Sequence, residues 1–153
     1  MYDIPNDLIK PQGLTCEEKD MYYTEILIPK LLHKTHYLTN DPKEANFFFV
    51  PQYISCFFHR CLLWGNKPDD CSERSNGYIT NILRHIQEEH PFWNLSKGVD
   101  HVFVFSWDRG MGVVGQNIPI KEELRNAIHL TPYGKVIFLL HFFQPKKSKR
   151  KRN

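Results

Sequence analysis

Two continuous apolar runs stand out along the chain, Phe47-Phe48-Phe49-Val50 and Val102-Phe103-Val104-Phe105. Both are rich in β-branched and aromatic residues and both are bounded by turn formers, Asn46 and Pro51 around the first, Gly98, Asp100, Ser106, Asp108 and Gly110 around the second. This pattern predicts strands buried on both faces, hence parallel and covered by helices. Ala127 to Leu130 reads as a further buried strand that stops at Thr131-Pro132-Tyr133-Gly134. Tyr2 to Ile4 reads as the tail of a strand ended by Pro5, so that the front edge of the domain is expected to lie outside these residues.

Between the runs the apolar positions take a helical period. Residues 20–34 place Tyr22, Ile26, Leu27, Leu31 and Leu32 at helical spacing, with Pro29 predicting a kink or break at Ile28. Residues 73–89 carry Ile79, Ile82, Leu83 and Ile86 on one stripe and end at His90-Pro91. Asn40 to Ala45 reads as a capped helical turn, with Asp41 accepting the first free amides and Pro42 at the first helical position. Glu122 to Asn126 reads as a short helix and residues 52–72 as loop. Strands alternating with helices predict an α/β fold, a Rossmann-like three-layer domain with a mainly parallel sheet. Val136 to Phe143 is apolar but has no secure place in this scheme.

Composition changes the picture in two respects. With 153 residues, 41% of them apolar, the chain suits one globular domain and hardly two. The formal net charge of +3 is confined to the end, where Lys146, Lys147, Lys149, Arg150, Lys151 and Arg152 leave a body of 14 basic and 17 acidic residues. Such a tail is expected to be disordered, and no basic face or reader motif in the body suggests nucleic-acid binding. The partition is therefore residues 1–134 as the domain and 135–153 as an apolar segment plus the basic tail. No run of about 18 apolar residues predicts a membrane span, and no signal sequence opens the chain.

Four cysteines, Cys16, Cys56, Cys61 and Cys71, allow three disulfide pairings. Together with His59 they also offer a mixed ligand set, Cys56-x2-His59-x-Cys61-x9-Cys71, whose spacing matches no common zinc frame. Disulfides and buried thiols are the other readings.

Candidate chemistry concentrates after the 102–105 run, because open α/β sheets gather ligands beyond the carboxyl ends of their strands. Ser106, Trp107, Asp108 and Arg109 sit there. Asp100 and His101 lie at the opposite end, about 25 Å from Asp108 if the intervening residues run extended at 3.3 Å each. Asp108 is thus the candidate to take a proton from a substrate hydroxyl, while Asp100 and His101 are expected to order the preceding turn. Trp93 and Trp107 have the flat apolar face that a sugar ring stacks on, although core packing is the commoner use of Trp. His59 and His85 have no partner at a recognisable spacing. Gly110-Met111-Gly112-Val113-Val114-Gly115 formally matches a dinucleotide loop, yet Val113 and Val114 lead into Gln116-Asn117-Ile118-Pro119 rather than into a helix, and no acidic residue stands some 20 positions on. A flexible, substrate-contacting loop is the favoured reading there. Asn94-Leu95-Ser96 is an N-glycosylation sequon in a predicted turn.

Taken in order, Tyr2-Asp3-Ile4-Pro5, the segment Asp41-Pro42-Lys43-Glu44-Ala45-Asn46-Phe47-Phe48-Phe49-Val50-Pro51, the segment Pro91-Phe92-Trp93-Asn94, the positions Gly98, Asp100, His101, Phe103, Phe105, Ser106, Asp108 and Gly110, and Asn126 to Thr131 resemble the exostosin family of glycosyltransferases. The resemblance runs from about residue 2 to 134; Trp107 departs from it where the family has His. It implies one half of a two-Rossmann-domain (B-type) glycosyltransferase fold, here the N-terminal, acceptor-side part. It further implies transfer of a sugar from a nucleotide sugar, a UDP-sugar, to a polysaccharide or proteoglycan-type glycan at the lumenal side of Golgi or endoplasmic-reticulum membranes. The nucleotide-binding half and a membrane anchor would lie outside these residues, so the chain alone is expected not to turn over. On this basis Asp108 is the catalytic candidate, Ser106, Trp107 and Arg109 are the acceptor-binding candidates, Asn94 is the glycosylation site and no metal or cofactor is expected in the chain itself. The partners expected are a glycan acceptor, a membrane only through an anchor, and a homo- or hetero-oligomer. The alternatives are a non-catalytic glycan-binding or interaction module and a nucleotide-binding domain using Gly110 to Gly115.

Overall fold

Three short strands pair in parallel, in the order in which they occur along the chain: β1 (Phe48–Phe49), β2 (His101–Val104) and β3 (Ile128–Leu130). The computed structural model describes residues 1–11 and 16–132. Phe48 and Phe49 lie opposite His101 and Val102, and Val102 to Val104 lie opposite Ile128 to Leu130. Backbone bonds extend the ladder at both ends: Phe48 N–H donates to Asp100, Val50 N–H to Val102 and Phe105 N–H to Leu130. The Tyr2 N–H donates to Phe49 at 3.1 Å. The N-terminal segment therefore touches β1 through this bond, but the strand tail expected over Tyr2 to Ile4 is not formed as a strand.

Parallel neighbours need crossovers, and the chain supplies them as helices. From β1 to β2 it passes through α3 (Ile54–Leu63), α4 (Pro68–Glu89) and α5 (Phe92–Ser96); from β2 to β3 it passes through a 3-10 segment (Gly110–Val114) and α6 (Ile118–Glu123). Two earlier helices, α1 (Asn6–Ile9) and α2 (Thr24–Leu32), complete the set. The result is α/β with an open parallel sheet, whose central residues Phe103 and Phe105 are fully buried against Ile54, Ile79, Ile82, Ile86 and Leu124. The α4 stripe is the one that the spacing predicted.

Several expectations are corrected. Residues 52–72 are not loop: ten of them form α3, whose Ile54 to Phe58 and Cys61 are all buried. Its buried Ile54, Phe57, Phe58 and Cys61 recur at i, i+3, i+4 and i+7, the spacing of one helix face, with His59 and Arg60 less buried beside them. α4 starts at Pro68 instead of residue 73, with Pro at the head of the helix and Asp69 and Asp70 in the first turn, where the helix dipole favours acids. α2 runs through Pro29 to Leu32, and its inner face is Glu25, Ile26 and Pro29, continued by buried Tyr22 in the turn before it, while Leu27 and Leu31 are 39% and 48% exposed. The expected turn around Asn94 is the one-turn helix α5, and the expected flexible loop at Gly110 to Gly115 is a 3-10 helix with Val113 and Val114 fully buried. α6 lies earlier than residues 122–126, started by Asn117, whose Oδ1 accepts the Ile120 N–H at 3.0 Å. β3 is half-exposed rather than buried. Val136 to Phe143, the basic tail and the boundary at residue 134 lie outside the described residues.

Two disulfides resolve the cysteine alternatives: Cys16 pairs with Cys56 and Cys61 with Cys71, at Cα separations of 6.2 and 5.6 Å. The second joins the last turn of α3 to the first of α4. The mixed zinc set does not assemble, since its thiols are divided between two disulfides and the His59 ring packs on Tyr22. Before β2 the chain turns at Lys97 and Gly98, both with positive φ, 56° and 80°. The Trp93 indole covers Gly98 so closely that a Cβ there would lie 2.9 Å from its Cη2, so this turn requires glycine for space as well as for backbone freedom.

Candidate active site

Beyond Phe105 the chain leaves the sheet, and the next residues are fastened from outside it. The fastening is Glu25 on α2, which is 1% exposed. Its Oε1 accepts the Ser106 N–H at 3.0 Å and the Ser55 N–H at 3.2 Å, and its Oε2 accepts Ser55 N–H at 3.0 Å and Cys56 N–H at 3.4 Å. Ser55 and Cys56 belong to the first turn of α3, whose amides have no partner within their own helix. One carboxylate thus ties α2, the start of α3 and the end of β2. Burial pushes Glu25 up to about 7, against the opposing pull of the Ser55 hydroxyl and the three amides. A second tie is Gln52, also buried, whose Oε1 accepts the Ile54 N–H and whose Nε2 donates to the Val104 carbonyl.

The four strand-end residues divide into an inward and an outward pair. Ser106 donates its hydroxyl to the Tyr22 carbonyl at 3.3 Å. Trp107 donates its N–H to Ser55 Oγ at 3.0 Å, and its ring stacks on Tyr22 and meets Phe58 edge-on, with centroids 5.2 and 4.9 Å apart. Asp108 and Arg109 are exposed. The Tyr22 hydroxyl is raised by burial first and then by the charges of Asp108 and Glu25, which puts the Asp108 carboxylate within electrostatic reach of that ring. Gly110 closes the turn with its N–H on the Trp107 carbonyl, 2.9 Å away.

Arg109 borders a groove of about 560 Å³ between the first turns of α4 and the Gly110–Val114 segment, with Asp69, Glu73, Asn76, Gln116 and Lys121 on its walls. Asn76 Oδ1 is shielded from solvent and has no hydrogen-bond partner among the described residues. No group of three or more metal-ligating side chains occurs among the described residues.

At the other end of β2 the arrangement is closed. The His101 ring is fully buried; its Nδ1 meets Asp100 Oδ1 at 2.7 Å and its Nε2 meets the Tyr2 hydroxyl at 2.7 Å. Trp93, Phe48 and Tyr2 surround it, with centroids 4.8, 5.2 and 5.6 Å away. Burial lowers its pKa against the raising effect of Asp100. Asp100 and His101 do order the turn before the strand, and Trp93 is core. Asn94 belongs to this end: it is exposed on α5, its Nδ2 donates to the Gln87 carbonyl, and the hydroxyl of Ser96 in the same sequon donates to Phe92.

Glu25, Gln52 and Asn76 were missed from sequence. Only Glu25 left a signal there, a carboxylate at the i+3 position between Tyr22 and Pro29 on what proves to be the apolar face of α2.

Residues 1–132 match the family profile described as the exostosin GT47 domain. Among curated relatives, two probable glucuronoxylan glucuronosyltransferases of Arabidopsis thaliana are 37% identical over 113 residues and 36% over 103. The first alignment covers 72% of this chain and 23% of the relative, the second 63% and 21%. A probable beta-1,4-xylosyltransferase of the same plant is 30% identical over 90 residues, 59% of this chain and 20% of its own. The chain thus spans between a fifth and a quarter of the length of these relatives. No solved structure matches it significantly.

Proposed function

The chain belongs to the exostosin GT47 family, and from that premise we propose that it forms the acceptor-side wall of a glycosyltransferase that moves a sugar from a nucleotide sugar onto a xylan-type polysaccharide. In this reading the sheet is one half of a two-Rossmann-domain fold, and the donor-binding half is supplied by polypeptide outside residues 1–153. The observation that carries it is the exposed carboxylate of Asp108 on a strand end made rigid by Glu25, Gln52 and Ser55.

Sugar transfer needs a base for the acceptor hydroxyl and a set of donors for the leaving diphosphate. Asp108 is the base in this proposal: its carboxylate accepts the hydroxyl proton as the acceptor oxygen attacks the sugar carbon. Ser106 and Trp107 position it, because their polar contacts hold the turn from behind, and Arg109 reaches the acceptor. The diphosphate falls to the other half. The Gly110 to Gly115 segment offers it no cradle, since it is packed as a 3-10 helix, and the Ile120 amide in the first turn of α6 is taken by Asn117.

Both disulfides and an exposed sequon at Asn94 support a lumenal setting, the Golgi in this reading, where thiols are oxidised and glycans are attached. No helix among the described residues is long and apolar enough to cross a membrane. The test is a transfer assay on the full-length polypeptide, with UDP-glucuronate and UDP-xylose as donors and xylohexaose as acceptor, beside the 153-residue chain alone. Product from the full-length protein and none from the chain is expected; no product from either with any nucleotide sugar would sink the reading.

A further inference from the structure

On the α2 and α3 side of the Asp108 turn stands a tyrosine whose polar end has no use inside the fold. The Tyr22 ring is clamped by His59, edge-on at 5.1 Å, and by Trp107, stacked at 5.2 Å. Its backbone carbonyl receives the Ser106 hydroxyl, so the ring and the strand end are joined as one body. Three tyrosines are buried among the described residues: Tyr2, Tyr22 and Tyr78. Tyr2 spends its hydroxyl on His101 and Tyr78 spends its own on the Ile9 carbonyl. The Tyr22 hydroxyl bonds to no described residue. It is also not among the polar atoms closed off from solvent, although the residue as a whole is only 8% exposed. A ring needed only for packing has no call for this oxygen, because phenylalanine would fill the same space. What remains is a phenol held rigidly with its oxygen open to solvent, against the residue that precedes Asp108.

We propose that Tyr22 is a specificity-determining residue: its hydroxyl donates to the acceptor hydroxyl adjacent to the one that faces Asp108, so the site takes sugars with two neighbouring free hydroxyls. The proposal rests on the glycosyltransferase reading for the role of Asp108 and adds to it a requirement on the acceptor. A fixed donor beside a fixed acceptor complements a vicinal diol. One hydroxyl gives its proton to the carboxylate, and the oxygen of the other receives the hydrogen bond of the phenol. The phenol keeps its own proton throughout, since burial first, and then the charges of Asp108 and Glu25, raise its pKa. Because His59 and Trp107 already immobilise the ring, little side-chain freedom is lost when the acceptor arrives. An acceptor without the second hydroxyl would leave that donor unpaired under the sugar, which is the usual source of discrimination at a polar site.

The experiment compares xylobiose with xylobiosides that each lack one hydroxyl of the terminal sugar, as acceptors for the full-length polypeptide, native and Tyr22→Phe. Binding of xylohexaose to the isotopically labelled 153-residue chain, native and Tyr22→Phe, is followed alongside by amide chemical shifts. Tyr22→Phe should melt as the native protein does and lower kcat/KM for xylobiose by about fivefold or more, the loss of roughly one hydrogen bond, carried mainly by KM. One deoxy acceptor should show the same loss with the native protein and no further loss with Tyr22→Phe, as two changes to one contact must. That ligand-side arm needs no substitution, so it holds even if the variant folds poorly. An unchanged kcat/KM in Tyr22→Phe, or a penalty of the same size on every deoxy acceptor, would overturn the contact; in the first case the transferase reading stands. If the full-length protein transfers no sugar, the transferase reading fails and binding decides the contact. Shifts at residues 22, 59 and 106–109 that weaken in Tyr22→Phe would keep it, and shifts elsewhere, equal affinities or no binding would overturn it.

Discussion

The two ends of β2 each hold a buried ionisable side chain, and they use it in opposite ways. At the amino end His101 is bonded through both ring nitrogens and sealed by aromatic rings, so its imidazole does not reach solvent. At the carboxyl end Glu25 is equally buried, but its bonds fasten the Ser55, Cys56 and Ser106 amides and the Ser55 hydroxyl, and the side chains of Asp108 and Arg109 just beyond remain exposed. One end uses its polar groups for closure, and the other uses them to hold a turn so that different groups stay free. In the proposed reading the reactive group is therefore an exposed neighbour of a well-fastened strand end and not the buried ionisable group itself.

That contrast breaks most sharply on activity. Asp108→Asn in the full-length polypeptide should lower sugar transfer by about 100-fold or more, the scale of a lost general base, while melting with the native profile. Asp100→Asn should do the opposite, costing stability and leaving the rate nearly intact. Equal rate losses in the two variants would erase the distinction between the ends.

Glu25→Ala comes next, because it strands three amide donors in the interior. A loss on the order of 3 kcal/mol in urea unfolding is expected, at about 1 kcal/mol or more for each group left unpaired. The two ends should also differ in the sign of their pH response. Glu25 is held above its ordinary value, up to about 7, so folding favours its protonated form and its contribution fades as pH rises from about 4.5 to 7, by roughly 3 kcal/mol at most. His101 is held below its ordinary value, so folding favours the neutral ring and that contribution fades as pH falls below about 6.5. Unfolding measured from pH 4 to 8 should lose the first slope in Glu25→Gln and the second in His101→Gln. A single slope removed by either substitution would show that one network, not two, governs titration.

Much of this frame was legible in the sequence. The runs Phe47 to Val50 and Val102 to Phe105 announce parallel strands because a run apolar on both faces has few other uses, although Phe47 is 61% exposed and β1 is only Phe48–Phe49, and Ile79, Ile82, Leu83 and Ile86 trace the α4 stripe directly. The strand end at Ser106 to Arg109 followed from those strands. The failures differ in kind. The helical spacing of Ile54, Phe57, Phe58 and Cys61 in α3 was present in the sequence and contradicts a loop, whereas Leu27 and Leu31 suggested an apolar face of α2 that in fact meets solvent. The Glu25 to Ser106 contact joins residues 81 apart in sequence, and no local spacing encodes it. Whether a polar side chain at a strand end turns inward, as Ser106 and Trp107 do, depends on partners such as Tyr22 and Ser55 that only folding brings near.

Smaller effects refine the comparison. Tyr2→Phe removes one bond from His101 and should cost about 1 kcal/mol, with no change in xylohexaose binding. Asn94→Gln should shift stability by no more than about 0.5 kcal/mol; in chain secreted from eukaryotic cells it should abolish a mass increment that an N-glycanase also removes. Persistence of that increment in the variant would place the glycan elsewhere.

The closeness of the Trp93 ring to Gly98 has a bearing on descent as well as on structure. Neither residue can change by itself: any side chain at 98 collides with the indole, and a smaller ring at 93 leaves a void beside His101 and Phe103. The two positions form a single heritable unit. In diverging copies of this domain they should be lost or kept together, and a lineage that replaces the glycine should already carry a reduced side chain at the tryptophan position.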